Sequence, residues 1–220
     1  MKIYLIRHAE WFEKQVNLRF FGLYPKKLTE GITEFGKKQS QLLANWLLDK
    51  NINILYTSPL LRAKETAQII SKRLKIKPIT EPNLQEIKKS SSGKEWSFWS
   101  YYAKHRYENL DYRIENGESI NMLIKRAKRV IKKIVNRQKK GNIAIVTHAE
   151  FIKCFLGSIG LKEYLTEKEI IPLCSITIVE YQHRRFYLSS PPSQKHLWRI
   201  CLKSFLRKLF FKLFTLEILY

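Results

Sequence analysis

With 220 residues, 45% of them hydrophobic and 27% charged, the chain can bury a core of its own, which excludes a disordered or low-complexity protein and fits one α/β domain. Its formal net charge of +22, from 41 Lys and Arg against 19 Asp and Glu, favours anionic partners such as phosphorylated small molecules, nucleic acid or an anionic lipid surface, and says nothing about fold. The three cysteines, Cys154, Cys174 and Cys201, are far apart and lack C-x-x-C spacing, which speaks against a disulfide framework or a zinc site and for a reducing, cytoplasmic setting.

The apolar run Ile3-Tyr4-Leu5-Ile6 is too short for a secretory leader and reads as a buried strand over 2–6 that ends at Arg7-His8. Residues 32–49 carry Ile32, Phe35, Leu42, Leu43, Trp46 and Leu47 at helical spacing, with Thr29-Glu30-Gly31 as the turn before them. A second strand follows over 51–56. Ser58-Pro59 then opens a helix over 60–74, where proline's missing N–H is harmless. A short third strand is predicted over 77–80. Residues 88–117 are polar, irregular and aromatic, with Trp96, Phe98, Trp99, Tyr101, Tyr102, Tyr107 and Tyr112, and read as an inserted cap over a site. Those aromatics equally serve to pack the insert onto the domain.

Residues 118–137 form a basic amphipathic helix with Ile120, Leu123, Ile124, Ala127, Val130, Ile131 and Ile134 on one face. Ile143-Ala144-Ile145-Val146-Thr147 shows no polar alternation, the pattern of a parallel strand buried on both faces, and it ends at His148. A helix over 150–158 and late strands over 175–181 and 185–188 complete a domain of residues 1–188. Alternating strands and helices predict an α/β three-layer sandwich: a mostly parallel sheet, helices on both faces, the cap and a C-terminal amphipathic helix. Ser189-Ser190-Pro191-Pro192-Ser193 marks a linker over 189–195. Beyond it, 196–220 combines Trp198, Leu202, Phe205, Leu209, Leu213 and Leu216 with Arg199, Lys203, Arg207, Lys208 and Lys212. Its charges are too frequent for a membrane span and fit a helix lying on an anionic membrane, docked on its own domain, or against a second subunit. No oligomeric state is specified. Nucleic-acid binding has the charge but no helix-turn-helix, zinc-finger or RNA-binding signature to carry it.

His8 and His148 each follow a core strand directly, and open α/β sheets bind ligands at the carboxyl ends of their strands. Arg62 lies in the first turn of the helix after the second strand, where a guanidinium can fork onto phosphate oxygens beside a helix N-terminus. Together these residues point to a phosphate site.

Leu5-Ile6-Arg7-His8-Ala9-Glu10 resembles the R-H-G-E signature of the histidine phosphatase superfamily, also called the phosphoglycerate mutase-like family, with alanine for its glycine. The likeness continues through Asn17, Phe21-Gly22, Leu28-Thr29-Glu30-Gly31, the segment from Tyr56 to Ala67, Leu84-Gln85-Glu86-Ile87, Gly117-Glu118-Ser119 and Val146-Thr147-His148-Ala149, over residues 2–181. It implies a phosphomonoesterase in which His8 attacks phosphorus and becomes a phosphohistidine. Arg7, Asn17, Arg62 and His148 hold the phosphoryl oxygens, Glu86 is the acid that protonates the leaving oxygen, and no metal or other cofactor is needed. The substrate is then a small phosphorylated molecule. Ala9 and Ala149 stand where the family carries glycine, and after Glu86 the stretch Lys88–Trp96 departs from the family's phosphatase pattern. That departure keeps a catalytically lapsed phosphate-binding protein as the alternative. A mutase-type phosphotransferase is the other, although the R-H-Y-G stretch of the mutases is absent.

Overall fold

The computed structural model describes residues 1–11, 31–88, 105–113, 115–138 and 140–197. One six-stranded sheet organises them. Its strands are β1 (Lys2–Arg7), β2 (Ile52–Thr57), β3 (Pro78–Thr80), β4 (Asn142–Thr147), β5 (Ile176–Gln182) and β6 (Arg185–Ser193), in the order β3-β2-β4-β1-β5-β6. β3, β2, β4 and β1 run parallel, while β5 and β6 are antiparallel additions beside β1, so the sheet is mixed.

Among the described residues four helices cover it: α1 (Glu34–Trp46), α2 (Leu61–Leu74), α3 (Ile120–Arg137) and α4 (Ala149–Ser158). The strand period of two sorts the core into two halves. Ile3, Leu5, Ile143 and Ile145 point to the face packed by α3 and α4, in a cluster with Leu123, Ile131, Phe151 and Phe155. Tyr4, Ile6, Ala144 and Val146 point to the other face, with Leu43, Ala63 and Ile70 of α1 and α2. The sandwich therefore has three layers, and β4 is buried on both sides as its unbroken apolar run requires.

Local chemistry explains the helix starts. Thr33 caps α1 by accepting the Gly36 N–H at 2.9 Å, and Ser119 caps α3 by accepting the Met122 N–H at 3.2 Å. The first of these caps lies beyond the expected turn at 29–31, so α1 begins at Glu34. Gly36 is required there, because a Cβ at that position would sit 2.1 Å from the Glu10 carbonyl oxygen.

The expected linker over 189–195 is corrected. β6 runs on through Pro191 and Pro192 to Ser193, which pairs with Ile176. β6 is the last strand of the sheet, so prolines there leave no ladder partner without a donor. The chain then makes a 3-10 turn over Lys195–Leu197. Leu197 is buried against α1, and the His196 ring lies 6.2 Å from that of Trp46. Of the expected C-terminal helix, 198–220 lies outside the described residues. So does most of the expected cap, including Trp96, Phe98, Trp99, Tyr101 and Tyr102.

Candidate active site

Three adjacent strands deliver the site. In the parallel register Arg7 stands opposite Thr147, and Thr57 opposite Val146. The residues that follow these strand ends therefore emerge side by side: His8 after β1, His148 after β4, and Ser58 and Arg62 after β2. The His8 and His148 ring centroids are 5.2 Å apart. The Arg62 Nε–H donates to His8 Nε2 at 3.2 Å, and its guanidinium carbon lies 4.5 Å from the Trp11 ring centre. His148 is the N-cap of α4 and Arg62 lies in the first turn of α2, so both stand at positive helix ends.

His8 is held in one tautomer. A carbonyl oxygen can only accept, so the 2.8 Å contact between His8 Nδ1 and the Ala9 carbonyl places the ring proton on Nδ1. Nε2 then carries the lone pair and accepts from Arg62. Burial, with Arg62 and Arg7 nearby, lowers the His8 pKa to about 3, so the imidazole is neutral across the physiological range. Ala9 has a negative φ, as does Ala149, and therefore alanine replaces the family's glycine at neither position with left-handed strain. The Ala9 N–H donates to Thr66 Oγ1 at 3.1 Å, tying the Arg7-His8-Ala9 turn to α2.

His148 is buried and held well below the ordinary imidazole pKa, chiefly by burial and then by His8 and the arginines. Its Nε2 lies 2.7 Å from Ser58 Oγ, which also accepts the Leu60 N–H at 3.3 Å. With the serine proton directed to His148 Nε2, the histidine's own proton lies on Nδ1. Among the described residues this Nδ1 has no partner, nor has Arg7 Nε. Buried donors left this way are rare in proteins outside functional sites. Arg7 Nη1 donates to the Ile171 carbonyl at 2.5 Å, which fixes the guanidinium at the strand end.

Glu86 follows Leu84 and Gln85 in an irregular segment beside the ends of β2 and β4. Burial first, and then repulsion from Glu150, raise its carboxyl to about pKa 7, against the opposing pull of Arg62 and Arg7. It therefore keeps a substantial protonated fraction up to neutrality, as a proton donor must. Asn17 lies outside the described residues.

Two participants were not legible as such in the sequence. Glu150, two residues beyond His148, receives Arg106 Nη2 at 2.9 Å and the Tyr107 hydroxyl at 2.5 Å. Burial opposes its ionisation, but Arg106, Lys153 and Tyr107 outweigh that and hold it below the usual carboxylate range. It thereby anchors the far end of the insert beside the site and keeps a negative charge near Glu86. The second is Arg126, which counted only as one cation of a basic helix. It stands three residues after Leu123 and four before Val130, on the apolar face, and that placement was the signal that it is buried.

The sequence profile of the histidine phosphatase superfamily (branch 1) matches residues 3–191. A probable phosphoglycerate mutase GpmB of Photorhabdus laumondii is 30% identical over 190 residues, 83% of this chain and 86% of that protein. A putative phosphoserine phosphatase 2 of Hydrogenobacter thermophilus is 30% identical over 174 residues, 73% of this chain and 81% of its own. The crystal structure of an Entamoeba histolytica phosphoserine phosphatase with 3-phosphoglyceric acid superposes with a TM-score of 0.70 at 23% identity, over 89% of this chain and 98% of that one.

Proposed function

Because the chain belongs to the histidine phosphatase superfamily, we propose that it is a phosphomonoesterase that passes the phosphoryl group of a small phosphate ester through His8 to water. The observation that carries this reading is the fixed tautomer of His8. A neutral imidazole with its proton pinned on Nδ1 presents an unprotonated Nε2, within 3.2 Å of an arginine that can neutralise incoming phosphate oxygens. In the first step the Nε2–P bond forms as the P–O bond to the alcohol breaks, and Glu86 gives its proton to the departing oxygen. In the second, water attacks phosphorus, its proton returns to the Glu86 carboxylate, and the P–N bond breaks. Arg7, Arg62 and His148 Nδ1–H bind the phosphoryl oxygens throughout, where negative charge spreads in the transfer. Asn17 adds a further donor to the same group.

The test is to mix the protein with an excess of a 32P-labelled phosphate monoester, quench it in alkali and look for label on histidine. Acid-labile, alkali-stable label that peptide mapping places on His8, with inorganic phosphate as product, is expected. Hydrolysis with no such label would remove the covalent intermediate. Binding with neither label nor phosphate would favour the lapsed phosphate-binding protein.

The wider setting is part of the same proposal. Cys154 and Cys174 are buried free thiols, in keeping with a reducing cytoplasm. Among the described residues no helix is long and apolar enough to cross a membrane. Residues 194–197 are docked on their own domain, so the anionic surface is left to 198–220 through its lysines and arginines. Deleting 198–220 is expected to release the protein from vesicles containing phosphatidylserine while leaving turnover of a soluble substrate unchanged. Equal flotation of both forms would sink that part.

A further inference from the structure

Four successive carbonyl groups, from Asn83 to Glu86, are held by buried side chains instead of by a sheet or helix. Arg126 Nη1 donates to the carbonyls of Asn83 at 2.7 Å and Gln85 at 2.9 Å, and Nη2 to that of Glu86 at 3.2 Å. The remaining carbonyl, that of Leu84, accepts Thr147 Oγ1–H at 2.6 Å, from the residue immediately before His148. The guanidinium is itself clamped. Its Nε donates to Glu118 Oε1 at 2.8 Å and its Nη2 to Oε2 at 2.6 Å, and this pair is 94% buried on both sides. Glu118 closes the arrangement by bonding the Lys88 backbone in both directions, at 2.9 Å and 3.2 Å.

Burying an ion pair is a poor way to add stability, because the desolvation of both charges offsets most of their attraction. What it supplies here is geometry. A planar guanidinium fork reaches three carbonyls of one short irregular segment and both oxygens of Glu118 at once, five hydrogen bonds that the three donors of an ammonium cannot make. That segment carries the acid, and its other end is tied to the strand that carries His148. We propose that Arg126, locked by Glu118, is the positioning residue of the leaving-group acid: it sets the backbone of 83–86 so that the Glu86 carboxyl meets the departing oxygen. Arg126 touches neither substrate nor phosphorus in this role. The inference rests on the proposed assignment of Glu86 as acid.

The role has a signature that a merely structural residue lacks. An alkyl phosphate needs its leaving oxygen protonated, whereas a nitrophenyl phosphate expels a stable anion with little help. Arg126→Lys keeps the charge opposite Glu118 but cannot bond the carboxylate and the three carbonyls together. It is expected to lower kcat/KM for an alkyl phosphate by about 10- to 100-fold, short of the full contribution of a general acid because the acid itself is kept, and for nitrophenyl phosphate by less than about 3-fold. The paired variant Arg126→Met with Glu118→Gln removes the buried charges together, avoiding an unpaired carboxylate, and is expected to show the same selectivity. Equal losses on both substrates in either folded variant, or no loss on either, would overturn the positioning role. Label on His8 of the wild-type protein, measured alongside, separates that outcome from failure of the underlying reading: without label both fall, and with label and an unchanged substrate ratio only the positioning role does.

Discussion

His8→Ala is expected to lower kcat/KM for a phosphate monoester by roughly 10⁴-fold or more and to abolish labelled phosphohistidine. The size follows from how completely the surroundings prepare this one nitrogen. Nδ1 is committed to the Ala9 carbonyl at 2.8 Å and Nε2 faces Arg62 at 3.2 Å, so neither rotation nor tautomer change precedes attack. The pKa near 3 means that almost no nucleophile is lost to protonation, even in mildly acidic solution. No neighbour can substitute for it. His148 offers the wrong nitrogen, because its Nε2 is bound to Ser58 at 2.7 Å. Steady-state kinetics on the variant, with a melting curve to show that it is folded, check the expectation. A variant that is folded and retains more than about a hundredth of the activity would take His8 out of the chemistry.

Glu86→Gln is the second large effect, and it depends on both pH and substrate. With a pKa of about 7, wild-type Glu86 holds its proton below neutrality and loses it above. Wild-type kcat/KM for an alkyl phosphate should therefore fall as pH rises through about 7. The acid side should be governed by the substrate's own phosphate ionisation near 6 and not by His8. Glutamine has no proton to give. The alkyl phosphate is expected to lose about 10²-fold or more, the alkaline limb to vanish, and nitrophenyl phosphate to be affected far less. Stability should move the opposite way. A carboxyl whose folded pKa lies above its unfolded value of 4.5 keeps its proton in the native state where the unfolded chain has released it. It therefore destabilises the protein progressively as pH rises from about 4.5 to about 7, and fully above that. Glu86→Gln removes this penalty and is expected to melt several degrees higher at pH 8, with no gain at pH 4. Scanning calorimetry at the two pH values and a pH–rate profile check both halves. An alkaline limb that persists in the glutamine variant would assign it to another group. In that case Arg126, whose variants are expected to copy the substrate pattern of Glu86→Gln, would lose its proposed role as well.

The segment 84–87 shows where residue types stop being informative. A glutamate after an irregular stretch reads the same whether it faces water or a cleft. Its proton affinity is set by burial and by Glu150, which is 64 positions away in sequence. Glu150 itself follows His148 in the first turn of α4, and its ion pair comes from Arg106 in the insert. Neither relation has a local pattern, because each joins elements that meet only after the sheet has formed. The two prolines of β6 misled for a related reason. Proline forbids a central strand but not an edge, and which strand lies at the edge is a property of the assembled sheet.

Several features were determined by the sequence itself. The apolar runs of β1 and β4 demand burial on two faces, Ser119 caps its helix, and Arg7-His8 and His148 stand at strand ends whatever the strand order. These are short-range facts, governed by hydrophobic period and capping, which act within a few residues. Only the tertiary structure decided that β4 inserts between β2 and β1, which sets two imidazoles 5.2 Å apart with Arg62 against one of them. It also decided what Arg126, on the apolar face of its helix, meets there: a buried carboxylate and three carbonyls. Such choices depend on which distant groups can satisfy one another's hydrogen bonds and charges out of water, and that is settled only when the layers close.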